Sequence, residues 1–326
     1  MVRTVGESPG QPADATMASL TVNWDENLPP SFQGGAVTIG NFDGVHRGHL
    51  ALLAELRRQA QALGGPAVAV TLDPHPLKLL RPEQFQPVLT TITDRAALLQ
   101  SHGADHVLIL RTTRTLLGLT ADQFFDTVVR DRLSARAMTE GPNFGFGRHR
   151  EGDVSKLADL CGRHGLSLTI VPPLAWNGAI VSSSRVRTAL VQGNVRGAAD
   201  LMDRPYRLHG LVGTGRHRGQ TLGFPTANLE RIETLVPGDG VYAVRVHHQH
   251  EVWPGAANIG PNPTFGEQAR KIEVHLIGFQ GDLVGQELTV DFIERLRDTR
   301  PFAGVSQLVE QLKLDVERAR QLLLAV

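Results

Sequence analysis

From Ala36 to about Gly193, short runs rich in β-branched residues alternate with stretches whose apolar positions recur every three or four residues. The strand-like runs are Ala36–Ile39, Ala67–Leu72, His106–Leu110, Ala135–Glu140 and Ser167–Val171. The helix-like runs are His49–Leu63, Asp94–His102, Ala121–Leu133, Val154–His164 and Ser184–Gln192. In the first of these, Leu50, Leu53, Leu56, Ala60 and Leu63 form one apolar stripe. Gly64-Gly65, Gly103, Gly165 and Gly193 stand where helices stop. Strand–helix alternation with short connections implies right-handed crossovers and a parallel sheet, a Rossmann-like α/β domain.

After Asp203 the helical period disappears. Short strands separated by Gly, Pro and Asn follow at Arg207–Val212, Val241–His247, Glu251–Asn258, Lys271–Ile277 and Glu287–Phe292. That spacing predicts a small antiparallel β-barrel. The chain closes on a helix with Val305, Leu308, Val309, Leu312, Val316, Ala319 and Leu323 on one face. The change of texture near Met202–Pro205 predicts a leader over 1–18, an α/β domain over 19–203 and a barrel domain over 204–326, each half with its own core.

Composition narrows the class. A length of 326 residues suits about two domains. Lys+Arg 33 balances Asp+Glu 33, so no global field draws a nucleic acid. No apolar run reaches the ~20 residues of a membrane span. Met1–Thr16 is rich in Gly, Pro, Ser and Asp without an apolar segment, which predicts a disordered leader, or a start at Met17, rather than a signal peptide. The single cysteine, Cys161, excludes an intramolecular disulfide and a multi-cysteine zinc site, and its helical pattern marks it as buried. A cytoplasmic protein acting on small molecules is expected; whether it forms homo-oligomers is left open.

Four segments carry chemistry in the first half. Gly40-Asn41-Phe42-Asp43-Gly44-Val45-His46-Arg47-Gly48-His49 joins the first strand to a helix. A helix N-terminus offers N–H groups and a positive dipole end to phosphate, two imidazoles add donors, and Gly48 lets the backbone approach closely. These parts suit nucleotidyl transfer, where catalysis is positioning and charge stabilisation. Asp73-Pro74-His75-Pro76 follows the second strand, at the sheet edge where α/β ligands bind. Val181-Ser182-Ser183-Ser184-Arg185-Val186-Arg187 opens a helix with three hydroxyls and two guanidiniums, either as helix caps or as triphosphate contacts. Gly141-Pro142-Asn143-Phe144-Gly145-Phe146-Gly147-Arg148 is an aromatic, basic and glycine-rich loop able to line a planar ring and a phosphate.

In the second half, a loop from Gly213 through Gly215, Arg218 and Gly223 leads to Pro225-Thr226-Ala227-Asn228. Its N–H groups suit phosphates, although the Walker Gly-Lys-Ser/Thr sequence is missing. Thr226 and Asn228 share one face of an extended strand, as neutral oxygens acceptable to Mg²⁺ or as local hydrogen-bonding groups. Glu273 and His275 share a face opposite Ile272, Val274 and Leu276. A carboxylate there is either a solvated strand residue or a base for a substrate hydroxyl.

Together these residues resemble the bacterial bifunctional riboflavin kinase/FAD synthetase family, from about Leu20 to Arg320. The most specific pieces are Gly40–His49, Asn143–Gly147, Ser182–Arg187, Gly223–Asn228, Asn258-Ile259-Gly260 through Pro263-Thr264-Phe265, and Glu273–Leu276. The resemblance implies that the barrel phosphorylates riboflavin with ATP to FMN, and that the α/β domain transfers AMP from ATP to FMN, giving FAD and pyrophosphate. It implies that His46 and His49 hold ATP phosphates within a loop contributed by Gly40, Phe42, Asp43, Gly44 and Gly48, with Ser183, Ser184 and Arg187 on the triphosphate. Asp73, Pro74, Asn143, Phe146 and Arg297 fall to the flavin. In the kinase, Gly213, Gly215, Arg218, Gly223 and Pro225 fall to ATP, Thr226 and Asn228 to Mg²⁺, and Glu273 is the general base. Leu72, Gly145, Ser184, Gln220, Gly278 and Val284 depart from the family's usual residues, and none removes a proposed catalytic group. Three rival readings are an enzyme keeping one of the two reactions, another adenylyltransferase with the same His-x-Gly-His turn, and a flavin-nucleotide sensor or carrier without turnover.

Overall fold

A computed structural model describes residues 19–215, 219, 222–262 and 267–324. The expected leader over 1–18, Arg218, Gln220 and the Pro263-Thr264-Phe265 piece lie outside the described residues. Six parallel strands, β1 (Ser19–Val22), β2 (Ala36–Ile39), β3 (Ala67–Asp73), β4 (His106–Arg111), β5 (Ala137–Glu140) and β6 (Ser167–Ile170), form a sheet in the order β1-β4-β3-β2-β5-β6. β2 and β5 are buried at every position, as central parallel strands covered on both faces are. The chain leaves β2 for β3 on one side and later returns to β5 on the other. The crevice beyond the carboxyl ends of β2 and β5 is therefore a topological switch point.

Helices α1 (Arg47–Leu63), α2 (Pro76–Leu80), α3 (Ile92–Ser101), α4 (Arg114–Gly118), α5 (Ala121–Phe124), α6 (Val154–His164), α7 (Ser183–Val191) and α8 (Val195–Met202) complete this half, with a small hairpin of β7 (Ala175–Trp176) and β8 (Ala179–Ile180) before α7. α1 buries Leu53, Leu56 and Ala60 and ends at Gly64 in the left-handed conformation, the stop that glycine allows. The expected helix over Ala121–Leu133 starts as α5 and continues in π geometry over Phe125–Arg132.

The second half is a closed antiparallel barrel of β9 (Tyr206–Gly213), β10 (Ala227–Glu230), β11 (Gly240–His248), β12 (Glu251–Asn262), β13 (Glu267–Leu276) and β14 (Glu287–Arg297), in the order β10-β13-β12-β11-β14-β9. Closure pairs every strand and leaves no open edge. Leu208, Val244, Val246, Val274, Val290 and Phe292 fill its interior. The terminal helix α9 (Val305–Leu324) covers the outer face, where Ala319 and Leu323 meet Val241, Ala243 and Leu296.

The cores do not divide where the texture changes. Val186 and Leu190 of α7, with Val195, Ala198, Leu201 and Met202 of α8, belong to the same apolar cluster as Tyr206, Leu208 and Tyr242 of the barrel. Two helices preceding Asp203 thus cap the barrel's core. The sequence expectation of one core per half is corrected on this point: the stripe of α8, short and adjacent to the texture change, faces the barrel. Leu235 N–H also donates to Val88 O at 2.8 Å, and the His209 Nε2 to Asp94 Oδ2 separation is 2.6 Å.

Candidate functional sites

The turn after β2 carries the densest polar arrangement. Phe42, Gly44 and Val45 all have positive φ, at 46°, 83° and 36°. For the two non-glycine residues this costs roughly 1–3 kcal/mol each and persists where surrounding contacts hold it. His46 is the N-cap of α1, yet its side chain makes no capping bond. Its ring stacks on that of His49, with centroids 3.7 Å apart and planes 14° from parallel. A Cβ at position 48 would stand 3.2 Å from the His46 ring, a tight approach that glycine avoids. Phe42 presents its edge to His49 at 5.3 Å.

Asn41 Oδ1, His46 Nδ1, His49 Nδ1 and Arg187 Nε, all in this region, are buried with no hydrogen-bond partner. Buried polar atoms are otherwise almost always satisfied. Other buried side-chain atoms elsewhere in the fold also lack partners, but these four lie around the β2–α1 turn and the facing α7, where a polar ligand would satisfy them. Burial lowers the His46 imidazole from 6.5 to about 4. His49 lies well below its usual value, from desolvation first and then from the charges of His46, Arg95 and Arg204. Both rings are neutral at pH 7, each with one N–H to donate.

This burial has a pH signature. Between pH 6.5 and about 4 the unfolded chain binds a proton at His46 that the folded chain refuses. Stability from this group is complete above pH 6.5 and is lost as pH falls, by about 2–3 kcal/mol near pH 4.5. Comparing urea unfolding at pH 7 and pH 4.5, His46→Gln is expected to lose less stability on acidification than the wild type. Equal losses would mean that the ring is protonated freely in the folded chain.

Asp43 departs from its expected role. It is 3% exposed and accepts from the Leu89 N–H at 2.8 Å and the Thr90 N–H at 3.3 Å, while pairing with Arg187 and, at 3.6 Å, Arg95. A carboxylate so enclosed contacts no phosphate; it orients the Arg187 guanidinium. Ser182 caps α7, accepting from the Arg185 N–H at 3.3 Å, and Ser183 Oγ donates to Asp43 O at 2.9 Å. The α7 start is thereby fastened to the β2–α1 turn, and Ser184 is exposed beside it. Gly40 and Gly44 shape the turn. Asp73 and Asn143 are exposed around the sheet's carboxyl edge, with Pro74 half-buried. Phe146 is corrected: at 6% exposure its ring packs in the core beside Phe124 and Phe144, leaving no open face for a flavin. The half-buried ring is Phe144.

In the barrel, the register sets Asn228 of β10 opposite Glu273 of β13, and Glu273 opposite Asn258 of β12. The row continues through Val241 to Arg297 of β14. Ile272, Val274 and Leu276 point into the core while Glu273 and His275 are half-buried, as period-2 alternation requires. His275 Nδ1 lies 2.8 Å from the Pro225 carbonyl, tying the loop before β10 to β13. Gly215 is held where a Cβ would fall 2.1 Å from Asn228 Nδ2. A cleft of about 670 Å³ is lined by Gly213, Gly215, Pro225, Thr226, Val274 and Leu276 among others, and neither Asn228 nor Glu273 is among its lining residues. Exposed Gly223 has φ 82° at the turn into Pro225.

Arg297, expected at the flavin, is engaged within the chain. Its Nε and Nη2 pair with the Asp315 carboxylate of α9 at 2.8–3.0 Å, and Nη1 donates to Asp298 O at 2.9 Å. The guanidinium anchors the terminal helix to β14.

A sequence model described as FAD synthetase matches residues 28–185, and one described as riboflavin kinase matches residues 202–323. With the parallel sheet and the closed barrel, these define the class: a two-part transferase of flavin nucleotides. Relatives described as bifunctional riboflavin kinase/FMN adenylyltransferase are 39% identical over 297 residues in Pseudomonas fluorescens, covering 91% of this chain and 95% of that protein. They are 35% identical in Escherichia coli K12, covering 90% and 95%, and 32% identical over 310 residues in Bacillus subtilis, covering 93% and 97%. The chain belongs to the bifunctional riboflavin kinase/FMN adenylyltransferase family. A crystal structure described as a macrolide-efflux protein from Streptococcus pneumoniae also superposes, with TM-score 0.83 and 30% identity, covering 93% of this chain and 99% of that one. Among the described residues, no helix is long and apolar enough to cross a membrane.

Proposed function

We propose that the chain converts riboflavin to FMN at the barrel and FMN to FAD at the β2–α1 turn, using ATP in both steps. The observation that carries this reading is the stacked His46–His49 pair at an uncapped helix N-terminus, amid four unsatisfied buried polar atoms. In FAD formation a phosphate oxygen of FMN attacks the α-phosphorus of ATP, and the bond to pyrophosphate breaks. The FMN phosphate is mostly dianionic at pH 7, so no base is needed. The work is charge stabilisation, which His46, His49 and Arg187 supply as donors to the phosphates, with Ser184 at the rim and Asp73, Pro74 and Asn143 beside the flavin.

In FMN formation the ribityl 5′-hydroxyl oxygen attacks the γ-phosphorus, ADP leaves, and the hydroxyl proton passes to Glu273. Gly213, Gly215 and Pro225 line the cleft for the nucleotide, with Gly223 at the turn that leads to it. Among the described residues no three His, Cys, Asp or Glu side chains form a metal-binding group. The oxygens that suit a cation are those of Thr226, just before β10, and Asn228, which stands opposite Glu273 in register. Hard neutral donors of this kind fit Mg²⁺ already carried by nucleotide phosphates. When bound, Mg²⁺ would draw negative charge from the phosphoryl oxygens. On this reading the protein acts on small molecules in the cytoplasm, in keeping with its balanced charge. Incubation with riboflavin and Mg-ATP, with separation of the flavins over time, tests the reading: FMN should appear first and FAD after it. Accumulation of FMN alone would restrict the chain to one reaction, and unchanged riboflavin would leave a binding protein.

A further inference from the structure

The β2–α1 turn is gripped by the segment 200–204, which runs from the end of α8 into the barrel half. Arg204 Nη2 donates to Gly44 O at 2.6 Å, and its Nη1 donates to Val45 O at 3.0 Å. The same Nη1 reaches Met202 O at 3.2 Å, fixing the guanidinium to its own backbone. From the opposite direction, Arg47 Nε donates to Asp200 O at 2.7 Å, and Arg47 Nη2 pairs with Asp203 at 2.5 Å. The Arg47 guanidinium also lies 4.2 Å over the Trp176 ring. Residues 200–204 and the His46-Arg47-Gly48-His49 sequence are therefore bonded reciprocally. The two carbonyls that Arg204 holds belong to residues with left-handed backbone, immediately before His46.

We infer that Arg204, which lies within the residues matched by the riboflavin kinase family, is a positioning residue for the adenylyl-transfer site. By fixing the Gly44 and Val45 carbonyls it sets the backbone that presents His46 and His49. The inference rests on the proposal that FAD is made at this turn. It makes the start of the kinase half a working part of the other reaction.

The test uses the full-length chain and measures both reactions in the same preparation. Arg204→Ala is expected to lower kcat for FMN adenylylation about a hundredfold, the scale of a misplacement near 1 Å. KM for ATP should change little, and riboflavin phosphorylation should stay at the wild-type rate. Arg204→Lys should recover part of the loss, since an ammonium donates to the carbonyls without matching the planar two-nitrogen fork. Adenylylation at the wild-type rate in Arg204→Ala would overturn the inference. So would parallel loss of both reactions in the Ala and Lys variants, which would make Arg204 a packing strut. Failure of the wild-type chain to make FAD from FMN would instead sink the functional reading itself.

Discussion

Replacing His49 with alanine is expected to lower FMN adenylylation by about a hundredfold or more, with riboflavin phosphorylation unchanged. The magnitude follows from losing one preorganised donor to developing phosphate charge, about 2.7–4 kcal/mol in comparable sites, at about 1.4 kcal/mol per tenfold in rate. The geometry adds a second effect. His49 stacks on His46 at 3.7 Å, so its removal also frees the His46 ring. The double variant with His46→Ala should therefore cost little more than His49→Ala alone, because residues acting as a unit are not additive. The measurement is FAD formation from FMN and Mg-ATP, with the kinase rate as the control for folding. FAD formation at the wild-type rate would remove the imidazoles from the reaction.

Glu273→Gln is expected to lower riboflavin kinase turnover by about 10²–10⁴, the usual worth of a positioned base. Glutamine keeps the size and one acceptor but takes no proton at neutral pH. Binding of riboflavin and ATP should persist, because the cleft shape depends on Gly215, Pro225 and the β13–β10 register. Adenylylation of supplied FMN should not change. Full turnover in this variant would make Glu273 a solvated strand residue held between two asparagines.

Much of the fold is legible in the chain because it is local. Strands buried on both faces read as unbroken apolar runs, and the His-x-Gly-His spacing sits in one turn where a few residues fix the geometry. The helix α8 and the edge strand β1 are short, and their patterns are too brief to stand out from their surroundings. The supporting contacts of the site are long-range and leave no local trace. Asp43 meets Arg187 across 144 positions, and Gly44 meets Arg204 across 160. Phe146 and Arg297 show a different limit. A motif fixes a position along the chain, whereas the direction of its side chain is decided by what packs around it. Phe146 falls inward between two other aromatic rings, and Arg297 is claimed by Asp315.

The apolar cluster that joins α7 and α8 to the barrel has a genetic consequence. Alleles altered at His49 and at Glu273 should form two complementation groups, since each chain still carries out one of two consecutive steps. An allele such as Leu201→Ala, which empties part of the cluster shared by α8 and the barrel, should belong to neither group. A cavity of that kind costs about 2–5 kcal/mol and weakens the framework of both sites together. In a screen for loss of flavin cofactors, α7 and α8 would therefore yield pleiotropic alleles from residues that touch no substrate.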